Sequence, residues 1–245
     1  MASASRDLTA MADDERPIAA SDDPVRLATV ELLGALAYGQ LRAVEAAARL
    51  IGLAPDARTA DVVADVVEHE LGAYRQLRDH LADRTELPTA VMDRQKPHFD
   101  AYFDRAPLDD WFGASVFFAL GLPMASDFAH AIAPVLEDRT AQVVTDAIAG
   151  RPRFEAGAIE QLAEQLVDAD AREYARHLAA DLLGRALTSY QGAVSDTDAL
   201  TVLLAAGDDG ERSPERRVKE LAIEVLGAHR RRSVELGLED LDDVR

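Results

Sequence analysis

Two amphipathic segments, one beginning after Pro24 and the other ending near Ala82, constrain the fold of this chain most strongly. In each, apolar side chains spaced three and four residues apart fall on one face of an α-helix. The first face carries Leu33, Leu36, Gln40, Val44, Ala47 and Ile51. The second carries Val63, Val66, Glu70, Ala73, Leu77 and Leu81. The spacing therefore predicts two long helices that pack against each other.

Gln40 and Glu70 are polar residues at positions where a packed helix is expected to be apolar. Each lies near the middle of its helix, and antiparallel packing would bring the two to about the same level. A buried carboxylate needs a metal ion, a proton or a hydrogen-bond partner. We expect a direct hydrogen bond between the Gln40 amide and the Glu70 carboxyl group, with Tyr38, Tyr74 or a buried water as further partners. The alternative is a slight rotation of the helices that lets Glu70 reach solvent.

Composition narrows the class of protein. The 245 residues are 48% hydrophobic but only 5% aromatic, and Ala, Leu and Val dominate, which favours closely packed helices. The chain has no cysteine, so disulfides, thiolate metal sites and cysteine nucleophiles are excluded. The net charge of −19 disfavours binding to nucleic-acid phosphates and to anionic membranes.

The location of the protein is expected to be cytoplasmic. Residues 1–22 carry several acids and lack the apolar core of a secretory signal. The longest apolar stretch, Trp111 to Ala125, is too short to cross a bilayer and contains Gly121 and Pro123. We therefore expect no membrane partner.

One basic cluster stands out in this acidic chain, near the C-terminus. It consists of Arg212, Arg216, Arg217, Lys219, Arg230, Arg231 and Arg232. The first interpretation is a solvated helix face that balances local acids, and the alternative is a docking patch for an acidic partner.

Three segments are predicted along the chain: a disordered N-terminus (1–22), a helical domain (23–238) and an acidic tail (239–245). Asp23 and Pro24 are typical of a helix N-terminus, and this first helix should end at Ile51. The second should cover about Thr59 to Ala82. Further helical segments are predicted at 98–103, 108–136 with a kink or break at Pro123 or Pro134, 138–149, 154–194 with a break at 168–170, 196–206 and 214–236.

Short sequence blocks carry a resemblance to a known family: Ala37–Leu41, Glu70–Tyr74 followed by Leu77–Leu81, and Ala125–Phe128. They resemble the ferritin-like proteins of the actinobacterial type, which are themselves similar to the di-iron tRNA 2-methylthio-N6-isopentenyladenosine hydroxylase. The resemblance covers roughly residues 24–237. It implies an all-α fold, a ferritin-like four-helix bundle with additional short helices and a C-terminal helix.

The resemblance also implies a di-iron site, in which carboxylates from two helices and Glu-x-x-His pairs from two others bind the metal. The matching positions on the first three helices are Gln40, Glu70, Ala73 and Leu122. The fourth-helix pair falls near residues 151–155, where Arg151 and Arg153 are cations and no Glu-x-x-His occurs. A lone Glu70 cannot hold two irons. The resemblance therefore implies a bundle with a degenerate metal site, and no cofactor is expected.

A displaced metal site is the alternative, with Asp127 and His130 as its ligands. These residues form the only acid-x-x-His in the chain. Asp127 lies about 140° around the helix from position 122, so it is not expected to point into the same cavity. A surface or inter-helix hydrogen-bonding role is the other interpretation of the pair.

Three hypotheses for function follow. The first is a non-catalytic binding or scaffold module, a pseudoenzyme with an unknown protein partner. The second is a di-iron oxidase or tRNA-modifying hydroxylase with altered ligands, which would need iron. The third is a small-molecule binder that uses the vacated bundle cavity, although a packed core has the same sequence pattern. Its lining would include Phe117, Phe118, Leu122 and Phe128. Homodimerisation is left open because no helix face in the sequence is distinguished as an interface.

Overall fold

The computed structural model describes residues 23–207 and 213–239. These residues form only helices, so the predicted all-α class is confirmed. Their bounds are α1 Pro24–Ile51, α2 Ala57–Ala82, α3 Pro88–Phe103, α4 Trp111–Val116, a π-helical turn Phe117–Gly121, α5 Pro123–Ile132, a 3-10 turn Ala133–Val135, α6 Asp138–Ile148, α7 Arg151–Ala163, α8 Ala169–Asp196, α9 Ala199–Ala206 and α10 Pro214–Glu235. The predicted disorder of residues 1–22 and nearly all of the predicted acidic tail lie outside the described residues, as does Arg212.

Helices α1 and α2 form the antiparallel pair that the spacing predicted. Asp23 caps α1 by accepting a hydrogen bond from the Val25 amide, and Asp56 caps α2 by accepting one from the Thr59 amide. The predicted faces are buried along most of their length, although Ile51, at the end of α1, is exposed. The two helices thus bring their central polar residues to one level.

The third long helix is interrupted at its prolines, as expected. Between α4 and α5, the Leu122 amide donates a hydrogen bond of 2.8 Å to the Phe117 carbonyl, five residues back instead of four. Pro123 follows at once and has no N–H with which to continue the regular ladder. The wider turn therefore absorbs the irregularity, and Pro134 lies in the 3-10 turn at the far end.

Residues Trp111–Val135 form the one helix of the described chain that has the length and composition to cross a membrane. The apolar stretch from Trp111 to Ala125 is part of this helix, which continues through Gly121 and Pro123 to Val135 and includes the charged residue Asp127. Of the 18 most apolar consecutive residues of this helix, 72% are buried inside the protein. Such burial is typical of the central helix of a packed bundle and accounts for the apolar composition.

Helices α6 and α7 together make the fourth member of the bundle. They join at Ala149 and Gly150, and α7 begins at Arg151, three residues before the predicted start at Phe154. The outer helices are α3, α8, α9 and α10. Helix α3 is longer than the predicted segment at 98–103, because Pro97 lies inside it without ending it.

The buried apolar residues form two clusters, one toward each end of the bundle. On α1, Ala37 belongs to the first cluster and Ala43 to the second. On α2, Ala73 belongs to the first and Val63 to the second. Gln40 and Glu70 lie between these positions, so a polar layer separates the two apolar cores.

Candidate functional site

Gln40 and Glu70 meet in the middle of the bundle. The Gln40 amide nitrogen donates hydrogen bonds to a carboxylate oxygen of Glu70 and, at 3.2 Å, to the Glu70 carbonyl. The predicted contact between these side chains is therefore confirmed. Only 2% of Glu70 and 6% of Gln40 are exposed, so the alternative in which Glu70 reaches solvent is wrong.

Arg151 is the third member of this site. One terminal nitrogen of its guanidinium donates to Glu70 Oε2 at 2.5 Å and to Gln40 Oε1 at 2.8 Å. The other donates to Ser126 Oγ at 2.9 Å. Arg151 is only 4% exposed, and the four side chains together are called the polar cluster below. The cluster draws one residue from each of the four bundle helices.

The short connection between α6 and α7 brings Arg151 to Glu70. A side chain at Gly150 would place its Cβ 2.6 Å from the His69 ring, so any larger residue would displace that ring. His69 in turn packs against Phe154 with ring centroids 5.4 Å apart. Pro152 suits the first turn of α7, where its missing N–H has no intrahelical partner to lose. Arg151 thereby starts α7 pointing into the bundle.

From the sequence, Arg151 was interpreted only as a cation at a position where a metal ligand is expected. The pairing with Glu70 was missed, although a buried carboxylate and a cation at aligned positions were a usable signal. Of the other proposed partners, the Tyr38 hydroxyl donates to Asp100 at 2.6 Å instead. Tyr74 packs against the first apolar cluster. The ion pair, rather than a tyrosine, satisfies Glu70.

The donor set does not fit a di-iron centre. Ala73 and Leu122, at two of the matching positions, are buried apolar side chains without donor atoms. Glu70 already has a cationic partner, and Gln40 supplies a neutral oxygen. Within residues 23–207 and 213–239, no group of three or more His, Cys, Asp or Glu side chains is arranged to hold a metal ion.

The alternative ligand pair is directed elsewhere. Asp127 accepts two hydrogen bonds from the Arg232 guanidinium, at 2.6 and 3.2 Å. His130 is exposed. The inter-helix interpretation of Asp127 is the one that the structure favours, since its carboxylate joins α5 to α10.

Glu155, one turn along α7 from Arg151, extends the polar cluster toward α10. Oε1 of its carboxyl group is buried without a hydrogen-bond partner among the described residues. Burial raises the pKa of Glu155. Interaction with Ser126 and with the cations Arg232 and Arg151 opposes this rise in pKa, whereas Asp127 adds to it. The carboxyl group is thus less stable in its charged form than it would be in water.

A family model for the ferritin-like domain of actinomycetes matches residues 23–207. This range includes the complete polar cluster and the four helices that supply it. The chain belongs to this ferritin-like family. No curated protein matches it. The family membership and the ferritin-like fold are thereby confirmed, whereas the similarity to the tRNA hydroxylase and the loss of metal ligands remain predictions.

Beside the polar cluster, the ferritin-like domain contains a cavity of about 240 Å³. Gln40 and Arg151 form one part of its wall, and most of the rest is apolar. Of the predicted lining residues, Leu122 and Phe128 contact the cavity, whereas Phe117 and Phe118 pack in the second apolar cluster. The hydroxyl of Tyr102, another wall residue, is buried without a hydrogen-bond partner among the described residues.

Proposed function

We propose that this ferritin-like domain is a non-catalytic binding or scaffold module in which the Arg151 guanidinium takes the position of a metal. The observation that carries the proposal is the contact of this guanidinium with Glu70 and Gln40, at 2.5 and 2.8 Å. By the family resemblance, these two residues stand at metal-ligand positions. A planar guanidinium offers several donors in a fixed fork, so it can organise oxygen atoms around one point as a cation does.

Charge balance supports the proposal. The Glu70 carboxylate and the Arg151 guanidinium carry single opposite charges, so their pair is neutral. A pair of iron ions would need several further carboxylates and imidazoles. At an effective dielectric constant of about 20, a second unit positive charge about 4 Å from Arg151 would cost about 4 kcal/mol. Loss of Arg151 would therefore have to precede any return of metal.

The alternative is a di-iron oxidase or tRNA-modifying hydroxylase with altered ligands. Its metal chemistry needs more anionic oxygen than Glu70 and Glu155 provide, and Glu155 is itself disfavoured in its charged form by burial. Binding of tRNA also depends on phosphate neutralisation, which the net charge of −19 opposes. We therefore prefer the non-catalytic role.

Three of the six described basic residues of the C-terminal cluster form ion pairs with acidic side chains. Arg216 pairs with Glu220 at 2.9 Å, and Arg230 pairs with Glu239 at 2.9 Å. Arg232 pairs with Asp127 at 2.6 Å. These contacts favour the interpretation of a solvated face over that of a docking patch. The proposed setting is the cytoplasm, with a protein partner still to be identified and homodimerisation left open.

Metal analysis of the full chain tests the proposal. The protein would be purified after growth with added iron, and its metal content measured by inductively coupled plasma mass spectrometry. Substoichiometric iron is expected. About two irons per chain, with an oxo-bridged absorption band, would overturn the proposal.

A variant tests the role of Arg151 itself. Arg151→Glu replaces the cation by a second carboxylate beside Glu70, so it is expected to bind cobalt(II) more tightly than the unmodified chain. Arg153→Glu makes the same change of charge at an exposed position two residues away and is the matched control. Titration followed by visible absorption compares the two. Equal cobalt binding by both variants would contradict the assignment of Arg151 to the metal position.

A further inference from the structure

We propose that the cavity beside the polar cluster binds a small, neutral and mostly apolar molecule that carries one hydrogen-bonding oxygen. The inference names a ligand class for the proposed binding role and rests on that role. It does not depend on which group occupies the metal position.

The size of the cavity sets the size of the ligand. A buried apolar cavity of about 150 Å³ is enough to hold benzene. At about 240 Å³, the present cavity has room for about ten non-hydrogen atoms. It is smaller than the roughly 300–1,000 Å³ of pockets for drug-sized molecules. A short alkyl or aryl compound therefore fits, whereas a nucleotide does not.

The Tyr102 hydroxyl provides a polar anchor. The Tyr102 ring is fixed by Phe103 and Phe117, with centroids 5.4 and 5.9 Å away. Its hydroxyl lies against Gly121, another wall residue, and only 2.8 Å from where a Cβ would lie. Tyr102 is 8% exposed, and its buried hydroxyl has no hydrogen-bond partner among the described residues. Because an unpaired buried hydroxyl is costly, a ligand oxygen at this point would be stabilising.

A second unpaired donor belongs to the same wall. Nε of Arg151 is buried and has no hydrogen-bond partner within the described part of the chain. It is an N–H group, so it can only donate. Two unsatisfied groups, of which one is a donor and the other a hydroxyl, favour a ligand oxygen that accepts hydrogen bonds.

The charged residues of the wall argue for a neutral ligand. Arg151 is balanced by Glu70 at 2.5 Å. Glu31 accepts hydrogen bonds from Arg94 and Gln95. Wall residue His98 lies 3.4 Å from Asp196. An additional charge inside the cavity would have no counter-ion of its own and would lose its hydration.

Access is provided along the outer wall. Leu187 and Tyr190 of α8 and Leu226 of α10 line the cavity and are only half-buried. Other wall residues, such as Ala43 and Gly121, are buried. The seam between α8 and α10 is therefore the route by which a small apolar molecule would enter.

Calorimetric titration of the full chain with three probes tests the ligand class. The probes are n-octanol, n-propylbenzene and octanoate, which are similar in size but differ in the oxygen and its charge. We expect n-octanol to bind with a stoichiometry of one and about three- to tenfold more tightly than n-propylbenzene, as one neutral hydrogen bond implies. Octanoate should bind more weakly than n-octanol. Failure of n-octanol to bind, or stronger binding of octanoate, would overturn the inference.

Variants locate the site. Ala186→Phe fills the cavity from α8 and should abolish binding of n-octanol, whereas Thr188→Phe adds the same ring at an exposed position of that helix and should not. Tyr102→Phe removes only the unpaired hydroxyl, so the variant should fold. It should lose the preference for n-octanol while it keeps its affinity for n-propylbenzene. Unchanged binding in both Ala186→Phe and Tyr102→Phe would place the probe elsewhere and refute the proposal.

The metal analysis keeps the two proposals separate. A chain without iron that fails to bind n-octanol would retain the arginine-centred role and remove this inference. A chain with about two irons that binds n-octanol in the cavity would remove the arginine-centred role and retain this inference.

Discussion

Two arginine–carboxylate pairs join helices of this protein, one at the centre of the bundle and one at its edge. In the central pair, Arg151 and Glu70 are 2.5 Å apart, and their side chains are 5% and 2% exposed. In the edge pair, Arg232 and Asp127 are 2.6 Å apart, with 12% and 17% exposed. The contact distances are nearly equal, so the difference between the pairs is their access to water.

This difference decides what happens when one partner is removed. At the edge, the remaining charge can still be hydrated after a small rearrangement. At the centre, the remaining charge lies between two apolar clusters, and its loss of hydration is uncompensated. Contact geometry alone therefore does not rank the two pairs, whereas burial does.

The largest effect is expected for Arg151→Met. It leaves Glu70 buried without its cation, which should lower the free energy of unfolding by about 3–5 kcal/mol. Urea denaturation measures the change. Arg153→Met, at the exposed neighbour, is the control and should remain within about 0.5 kcal/mol of the unmodified chain. Equal stabilities of the two variants would show that the central pair has no special role.

The double variant Glu70→Met with Arg151→Met should recover much of that loss. Removing both charges eliminates the uncompensated carboxylate, and buried ion pairs can often be replaced by apolar side chains without a net cost. Relative to Arg151→Met, a recovery of at least about 2 kcal/mol is expected in the same denaturation experiment. A double variant as unstable as the sum of the single variants would mean that the two residues are not coupled.

Arg232→Met tests the edge pair. It removes two charge-assisted hydrogen bonds to Asp127, and the expected destabilisation is about 1.5–3 kcal/mol, below that of the central pair. The Asp127 carboxylate is partly exposed and can be hydrated afterwards. If Arg232→Met proves as destabilising as Arg151→Met, burial is not what separates the pairs.

Glu155, which lies between the pairs, should make stability depend on pH. Burial raises its pKa in the folded protein above the value of 4.5 for a free side chain, so the folded state retains the proton more strongly than the unfolded state. Its contribution therefore favours folding at low pH and is lost as pH rises through the window above 4.5. Glu155→Gln should be more stable relative to the unmodified chain at pH 7 than at pH 4. If the difference in stability between Glu155→Gln and the unmodified chain is the same at pH 4 and pH 7, the raised pKa of Glu155 is contradicted.

The smallest effect is expected for a surface pair. Arg49 lies one turn after Glu45 on α1, and its guanidinium is 2.5 Å from the Glu45 carboxylate. The two side chains are 55% and 42% exposed, respectively. Arg49→Met should change the free energy of unfolding by no more than about 0.5 kcal/mol. Thermal denaturation at low and high salt checks this value, and a loss above about 2 kcal/mol would remove burial as the ranking principle.

Much of the fold was predictable because its signals are local. The Asp23–Pro24 pair marked the start of α1, and the break predicted at 168–170 lies where α8 begins. The contact between Gln40 and Glu70 was also predictable, since both stand at the middle of apolar faces. These inferences depend on neighbouring residues or on the helical period, which the sequence displays directly.

The rest depends on distances between helices. The predicted start of α7 at Phe154 left Arg151 in a connection, and an error of three residues concealed the partner of Glu70. Helix α3 was predicted too short, since the predicted segment at 98–103 begins after Pro97 whereas the helix begins at Pro88. Pro97 and Asp93, whose carbonyl loses its partner, are both exposed, so water can replace the missing hydrogen bond. The cavity was not predictable, since apolar residues that fill a core and those that line a void have the same pattern.

The π-helical turn before Pro123 sets the rotational phase of α5. One extra residue in a turn advances the following side chains by about 100° around the axis. In this phase Ser126 meets Arg151, and Asp127 meets Arg232. Deletion of a single residue from the turn would move Asp127 into the place of Ser126 and add a carboxylate beside the guanidinium. The length of this turn thus decides whether a hydroxyl or a carboxylate of α5 faces the guanidinium.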